Sequence, residues 1–140
     1  MAALVAGCTS DDPAAKFVGS WDYAPGSTAT VDCGGSSSSV PFDTVVETFT
    51  ESHGLLVKTD SQGCAGLELD VTGDVASLSS AGQSCTIPAA GSSPSATFAP
   101  TTYSFTLGGD STLTEALTAS YTPSGASACT VTAANTLTKE

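Results

Sequence analysis

The sequence predicts an all-β domain: an antiparallel meander of about eight or nine strands, rolled into an up-and-down barrel or folded as a two-sheet β-sandwich. Three observations carry that reading. From Phe17 onward apolar and polar residues alternate with period two, and no segment sustains a helical period. Serine and threonine, 21 of each, fill the polar parity almost throughout, so each strand has one buried and one solvated face, as in antiparallel sheets. Turn residues recur at short intervals and cut the chain into short strands. Period two does not separate a barrel from a sandwich, so closure stays open at this level.

In chain order, strands are expected near 17–24, 27–33, 43–51, 54–59, 65–72, 74–80, 101–107, 111–121 and 128–138. Leu67-Glu68-Leu69-Asp70-Val71-Thr72 and Tyr103-Ser104-Phe105-Thr106-Leu107 alternate without error, and Val131 to Leu137 does so with Asn135 as the exception. Threonine suits these strands because its branched β-carbon packs on a pleated surface. Pro25-Gly26, Ser52-His53-Gly54, Thr72-Gly73-Asp74 and Gly108-Gly109-Asp110 read as tight hairpin links. Gly34 to Pro41, with four consecutive serines, and Ala81 to Pro100, rich in Gly, Ser and Pro, read as surface loops. No helix longer than a turn or two is expected.

A chain of 140 residues and 13.7 kDa fits a single domain. It divides into a residual signal segment at 1–7, a polar tether at 8–16 and one β domain at 17–140. With three lysines, no arginine and a net charge of −11, its surface repels phosphate. Nucleic-acid binding and docking on anionic lipid through basic residues are thereby excluded. No stretch approaches the ~20 apolar residues of a membrane-spanning helix.

Val5-Ala6-Gly7-Cys8 resembles a bacterial lipobox, in which the peptidase cuts before a cysteine that carries diacylglycerol. Leu4 looks like the end of an apolar h-region, and Thr9-Ser10-Asp11-Asp12-Pro13 makes a polar, turn-prone tether. The resemblance implies lipidation at Cys8, a membrane partner reached through that lipid, and a bacterial envelope address, with the outer membrane expected. A signal peptide needs about 15–30 residues and a basic n-region. Seven residues precede Cys8, none of them basic, so the reading expects a start upstream of Met1 or a trimmed chain. The alternative is an ordinary frayed N-terminus with a free thiol.

Cysteine arithmetic fits the anchor. The chain has five cysteines; acylating Cys8 leaves Cys33, Cys64, Cys85 and Cys129, an even four. No C-x-x-C pair occurs, so neither a zinc site nor a thioredoxin-like motif is expected, and two disulfides formed in an oxidising compartment are. In a simple meander all four fall on one rim. Cys64 and Cys85 flank neighbouring strands and form the preferred pair. That leaves Cys33 with Cys129, both sharing parity with a valine, Val31 and Val131. Sequence alone allows three connectivities.

Gly19-Ser20-Trp21, on the first strand, resembles the G-x-W of lipocalin-like barrels. In that superfamily the Trp plugs the closed end of the barrel and a basic residue on the last strand covers it. The resemblance implies an end-plugging Trp21, with Lys139, just past the last strand, in the covering place. The Thr-Asp-Tyr signature of true lipocalins is absent. Lipobox, tether, G-x-W-x-Y and four later cysteines together also look like small lipoproteins of myxobacteria-like bacteria, a resemblance that brings no activity with it.

Candidate chemistry is sparse. The one histidine, His53, sits in a turn where positive φ suits it. There is no G-x-S-x-G elbow and no guanidinium, so no enzyme activity, catalytic residue or cofactor is expected. Glu68, Asp70 and Asp74 cluster on a solvated face; solubility is their ordinary role, and without a D-x-D-x-D-G loop no metal site is assigned. Two glutamates break the pattern. Glu47 shares parity with Val45 and Phe49, and Glu115 with Leu113, Leu117, Ala119 and Tyr121. A β-bulge that switches parity, or a wet edge, is the favoured explanation. If the strands are regular, both carboxyls point inward and, with Tyr103 or Tyr121, supply the polar groups of a ligand pocket.

Two functions follow for an extracytoplasmic ectodomain. One is a lipocalin-like carrier for a small apolar or cationic molecule, recognised by a cavity lined by those residues. The other is an envelope protein-interaction or coat module with a solid core, recognised by an exposed apolar patch rimmed by polar residues.

Overall fold

Eleven strands follow a short 3₁₀ turn (Pro13–Lys16) in the computed structural model, which describes residues 13–109 and 111–140. They are β1 (Gly19–Tyr23), β2 (Thr28–Cys33), β3 (Ser36–Pro41), β4 (Val46–Ser52), β5 (Leu55–Asp60), β6 (Ala65–Thr72), β7 (Val75–Leu78), β8 (Cys85–Ile87), β9 (Ala96–Leu107), β10 (Thr112–Pro123) and β11 (Cys129–Lys139). Val5–Cys8, with the expected lipid site, lies outside the described residues.

Eight of the strands close into an antiparallel barrel in the order β1-β4-β5-β6-β7-β9-β10-β11. Closure comes from Trp21↔Lys139, Asp22↔Thr138 and Tyr23↔Leu137, which settles barrel over sandwich. β11 pairs β10 along one edge and is long enough to serve two partners along the other. Its C-terminal end pairs β1, and its N-terminal half pairs β2, from Thr130↔Asp32 to Ala133↔Ala29. The β2–β3 hairpin therefore hangs on the barrel at one end, beyond a turn in which the Ser27 amide donates to the Ala24 carbonyl at 3.1 Å.

Two expected loops contain strands. The serine run 36–39 belongs to β3, exposed along its whole length. With both faces wet, a strand of four serines, a valine and a proline shows no alternation to read. Within 81–100 lie β8 and the first five residues of β9. There Ala96, Phe98 and Pro100 are buried on even parity, and Tyr103, Phe105 and Leu107 on odd parity. The switch is a bulge at Thr101, which is skipped as Thr118 pairs Thr102 and Ala119 pairs Pro100. Pro100, which has no amide hydrogen to donate, sits at that break as prolines in sheets do.

Rings run down the barrel axis. Phe17 meets Phe49 at 6.3 Å between centroids, Phe49 meets Phe105 at 5.1 Å, Phe105 meets Tyr103 at 4.9 Å, and Tyr103 meets Phe98 at 6.3 Å. Edge-on and tilted contacts of this kind add stabilisation beyond area burial. At the Phe17 end Trp21 is fully buried, and its indole donates to the Phe17 carbonyl at 2.8 Å. Lys139 is the last residue of β11 rather than a residue beyond it, and its ammonium lies 5.4 Å from the Trp21 ring centroid. Gly19, at φ +129°, leaves room for the lysine stem: a Cβ there would stand 3.2 Å from Lys139 Cε.

The disulfides are Cys33–Cys129 and Cys64–Cys85. The first ties the tip of β2 to the start of β11; the second ties the start of β6 to β8, which lies along β9. They enclose 96 and 21 residues of sequence separation. In the chain-entropy account, loops of those sizes confer about 4.7 and about 3 kcal/mol. Replacing Cys33 and Cys129 together by serine is expected to lower the urea midpoint more than replacing Cys64 and Cys85 together.

Candidate functional site

β4 and β10 are regular where it matters. Val46 to Ser52 pairs β1 and β5 without a register break, and the irregularity in β10 falls between Thr118 and Ala119, past Glu115. The bulge or wet-edge explanation of the two glutamates is therefore wrong. Both point into the barrel, Glu47 at 1% and Glu115 at 0% exposure.

Each is met by partners from a different strand. Lys58 of β5, 1% exposed, places its ammonium 2.5 Å from Glu47 Oε1 and 3.7 Å from Asp60 Oδ2. The Tyr23 hydroxyl of β1 donates to Glu47 Oε2 at 2.8 Å and also bonds Glu115 Oε2. The Tyr103 hydroxyl of β9 lies 3.2 Å from Glu115 Oε2 and 3.4 Å from Glu47 Oε2. Asn135 of β11, directly opposite Glu115, donates its amide to Glu115 Oε1 at 3.3 Å. No buried side-chain nitrogen or oxygen among the described residues lacks a partner.

A hydroxyl has one proton, so Tyr23 cannot donate to both carboxyls at once. Its single proton serves Glu47 and Glu115 in turn. Burial, chiefly, pushes the Glu115 carboxyl above its ordinary value of 4.5; the Tyr23 hydrogen bond opposes the rise, Glu47 nearby adds to it, and Asn135 and Lys58 hold it back. Burial first, then the neighbouring phenol and carboxylates, hold Tyr23 well above 10. Tyr103 is held up by burial and the two carboxylates, so both phenols remain donors. The network joins Glu115 to Tyr23 and Tyr23 to Glu47, with Lys58 closing it on the far side.

Above this network, on the side of the β2–β3 hairpin and both disulfides, lies a cavity of about 220 Å³. Val31, Phe42, Ile87, Phe98, Leu117 and Val131 form its apolar wall, and Glu47, Asp60 and Tyr103 give it a polar patch. Tyr121 lines it as well, whereas Glu115 is not among the lining side chains and reaches the cavity only through the phenols. Of the residues expected to form a pocket, Glu47, Tyr103 and Tyr121 thus share its wall and Glu115 stands behind it.

The other candidates lie apart. His53, at φ 54°, occupies the turn between β4 and β5 with Gly54 at φ 81°, as a two-residue hairpin turn demands, and its ring is exposed. Glu68, Asp70 and Asp74 are exposed. The sequence reading missed Lys58, Tyr23, Asn135 and Asp60. Lys58 had a signal in its parity with Leu56, masked by Leu55 and Val57 on the opposite parity. Comparison with known protein families, curated proteins and solved structures gives no match.

Removing one member of a buried ion pair leaves a bare charge, at a cost of about 3–5 kcal/mol. Lys58→Met is expected to lose that much in urea unfolding, and Lys58→Met/Glu47→Leu to regain most of it. A carboxyl whose folded pKa is raised contributes stability that is full below its unfolded value near 4.5 and is lost as pH rises through the folded value. Glu115→Gln, which keeps an acceptor for Asn135, should therefore gain on the wild type between pH 5 and pH 8. The two should converge at about pH 4 when midpoints are measured across that range.

Proposed function

We propose that this chain is the extracytoplasmic ectodomain of a lipid-anchored envelope protein whose barrel carries a small, largely apolar molecule with its polar end on Glu47 and Tyr103. The observation that carries the reading is the cavity: apolar walls, a polar patch at one place, and a satisfied network behind it. Binding sites of this kind are mostly apolar with a few placed polar groups. A cavity of about 150 Å³ holds benzene, so 220 Å³ suits a molecule of roughly nine non-hydrogen atoms.

The address rests on the lipobox resemblance at Cys8, supported by the two disulfides, which belong to oxidising compartments. The coat or interaction reading expects a solid core instead, and its distinguishing feature would be an apolar surface patch.

A native mass spectrum of the protein, released gently from membranes of a bacterium expressing the full gene, tests both parts. It is expected to show diacylglycerol on Cys8 and a retained molecule of roughly 130 Da. Val31→Phe, which fills the cavity from β2, should lose the retained mass while keeping the lipid and both disulfides. A wild type with no adduct would remove the carrier reading, and a Cys8 without lipid would remove the address.

A further inference from the structure

The carrier reading leaves the chemistry of the ligand open, and the inference here rests on that reading. The charged side chains that line the cavity are Glu47 and Asp60, both acidic. Lys58 is not part of that lining: its ammonium is held by those same two carboxylates and lies 5.1 Å from the centroid of the Tyr103 ring. Around them stand four aromatic rings, Phe42, Phe98, Tyr103 and Tyr121. Aromatic rings with carboxylates at one side attract a cation twice over, through the ring quadrupoles and through charge.

The charge count points the same way. Three carboxyl groups, Glu47, Asp60 and Glu115, face one ammonium. Glu115 stands behind the wall, and the two carboxyls that line the cavity share Lys58. Lys58 then offsets one of the two remaining charges and one is left at the cavity wall. Asp60 is where it resides: its Oδ1 accepts the amides of Gln62 and Cys64 at 2.9 and 3.1 Å, while its Oδ2 stands 3.7 Å from the ammonium that Glu47 holds at 2.5 Å. An anionic ligand would meet Glu47 and Asp60 before reaching Lys58. A neutral ligand would leave the excess charge in a poorly hydrated cavity.

We infer that the barrel selects a small aromatic or branched aliphatic amine in its protonated form, with the ammonium on the cavity side of Asp60 and the apolar body against Phe42, Phe98 and Tyr121. Nothing further is needed from the fold, since the overall charge of −11 already draws cations toward the mouth.

Three probes of matched size separate the possibilities: 2-phenylethylamine, 2-phenylethanol and phenylacetate, titrated calorimetrically at neutral pH into the full chain stripped of any retained molecule. The amine is expected to bind at least about tenfold more tightly than the alcohol, and the acid not at all. Asp60→Asn keeps the Oδ1 acceptor for the Gln62 and Cys64 amides, and should bring amine and alcohol within about threefold of each other. Equal affinity of amine and alcohol in the wild type overturns the amine assignment and leaves the carrier reading standing. Tightest binding of the acid overturns it too and makes Lys58 the anchor. Silence from all three overturns it, and the native spectrum then decides separately whether any molecule is carried. The wild-type comparison decides the matter even if the Asp60 variant fails to fold.

Discussion

Glu47, Lys58 and Glu115 cannot be buried one at a time. An isolated carboxylate or ammonium inside a barrel of this width is far costlier than the stability of a small domain allows, so each must arrive with its partners in place. The partners come from β1, β4, β5, β9, β10 and β11, six of the eight strands that close the barrel. The network is thus satisfied only in the closed, correctly registered barrel, and a one-residue slip in any of these strands would turn its polar group to solvent. Whether such a network adds net stability over an apolar core is a separate matter, since buried pairs often break even. What it supplies here is one register and a polar surface in the middle of the barrel, and the cavity wall is built on that surface.

The closed end and the cavity end divide the labour. Toward Phe17 the interior is filled by Trp21, Phe49, Phe105 and leucines, with Lys139 over the indole. Toward the disulfides valines join Phe42, Phe98, Ile87 and Leu117 around an unfilled space, and the β2–β3 hairpin extends that wall without joining the closure. The column of rings passes from one region to the other and ends on Phe98 at the cavity.

Most of the barrel was legible because its strands are half-buried, and half-burial writes period two into the chain. It became illegible for identifiable reasons. β3 has no buried face, so its serines carry no alternation. β9 changes face at Thr101, so the alternation before Pro100 is out of phase with that after it. The glutamates were visible through their parity, but parity alone could not exclude a bulge. Lys58 was hidden by Leu55 and Val57, apolar residues on the opposite, half-buried face. Tyr23 reads as core until its hydroxyl finds a carboxylate. Asn135 was noticed as a break in β11, but its meaning needed the register that sets it opposite Glu115. Pairing across strands is tertiary information, and the site consists of such pairings.

The hairpin that hangs outside the closure has a consequence for how a protein of this kind diverges. Ser38 and Val40 of β3 look into the cavity, yet β3 lies at the end of the strand order and pairs with β2. Changes there reshape the mouth without disturbing the eight-strand closure, the buried ion pair or the Trp21 plug. Descendants of one barrel can therefore acquire different appetites while their interiors stay under strict purifying selection, so the serine-rich hairpin is where related chains should differ first.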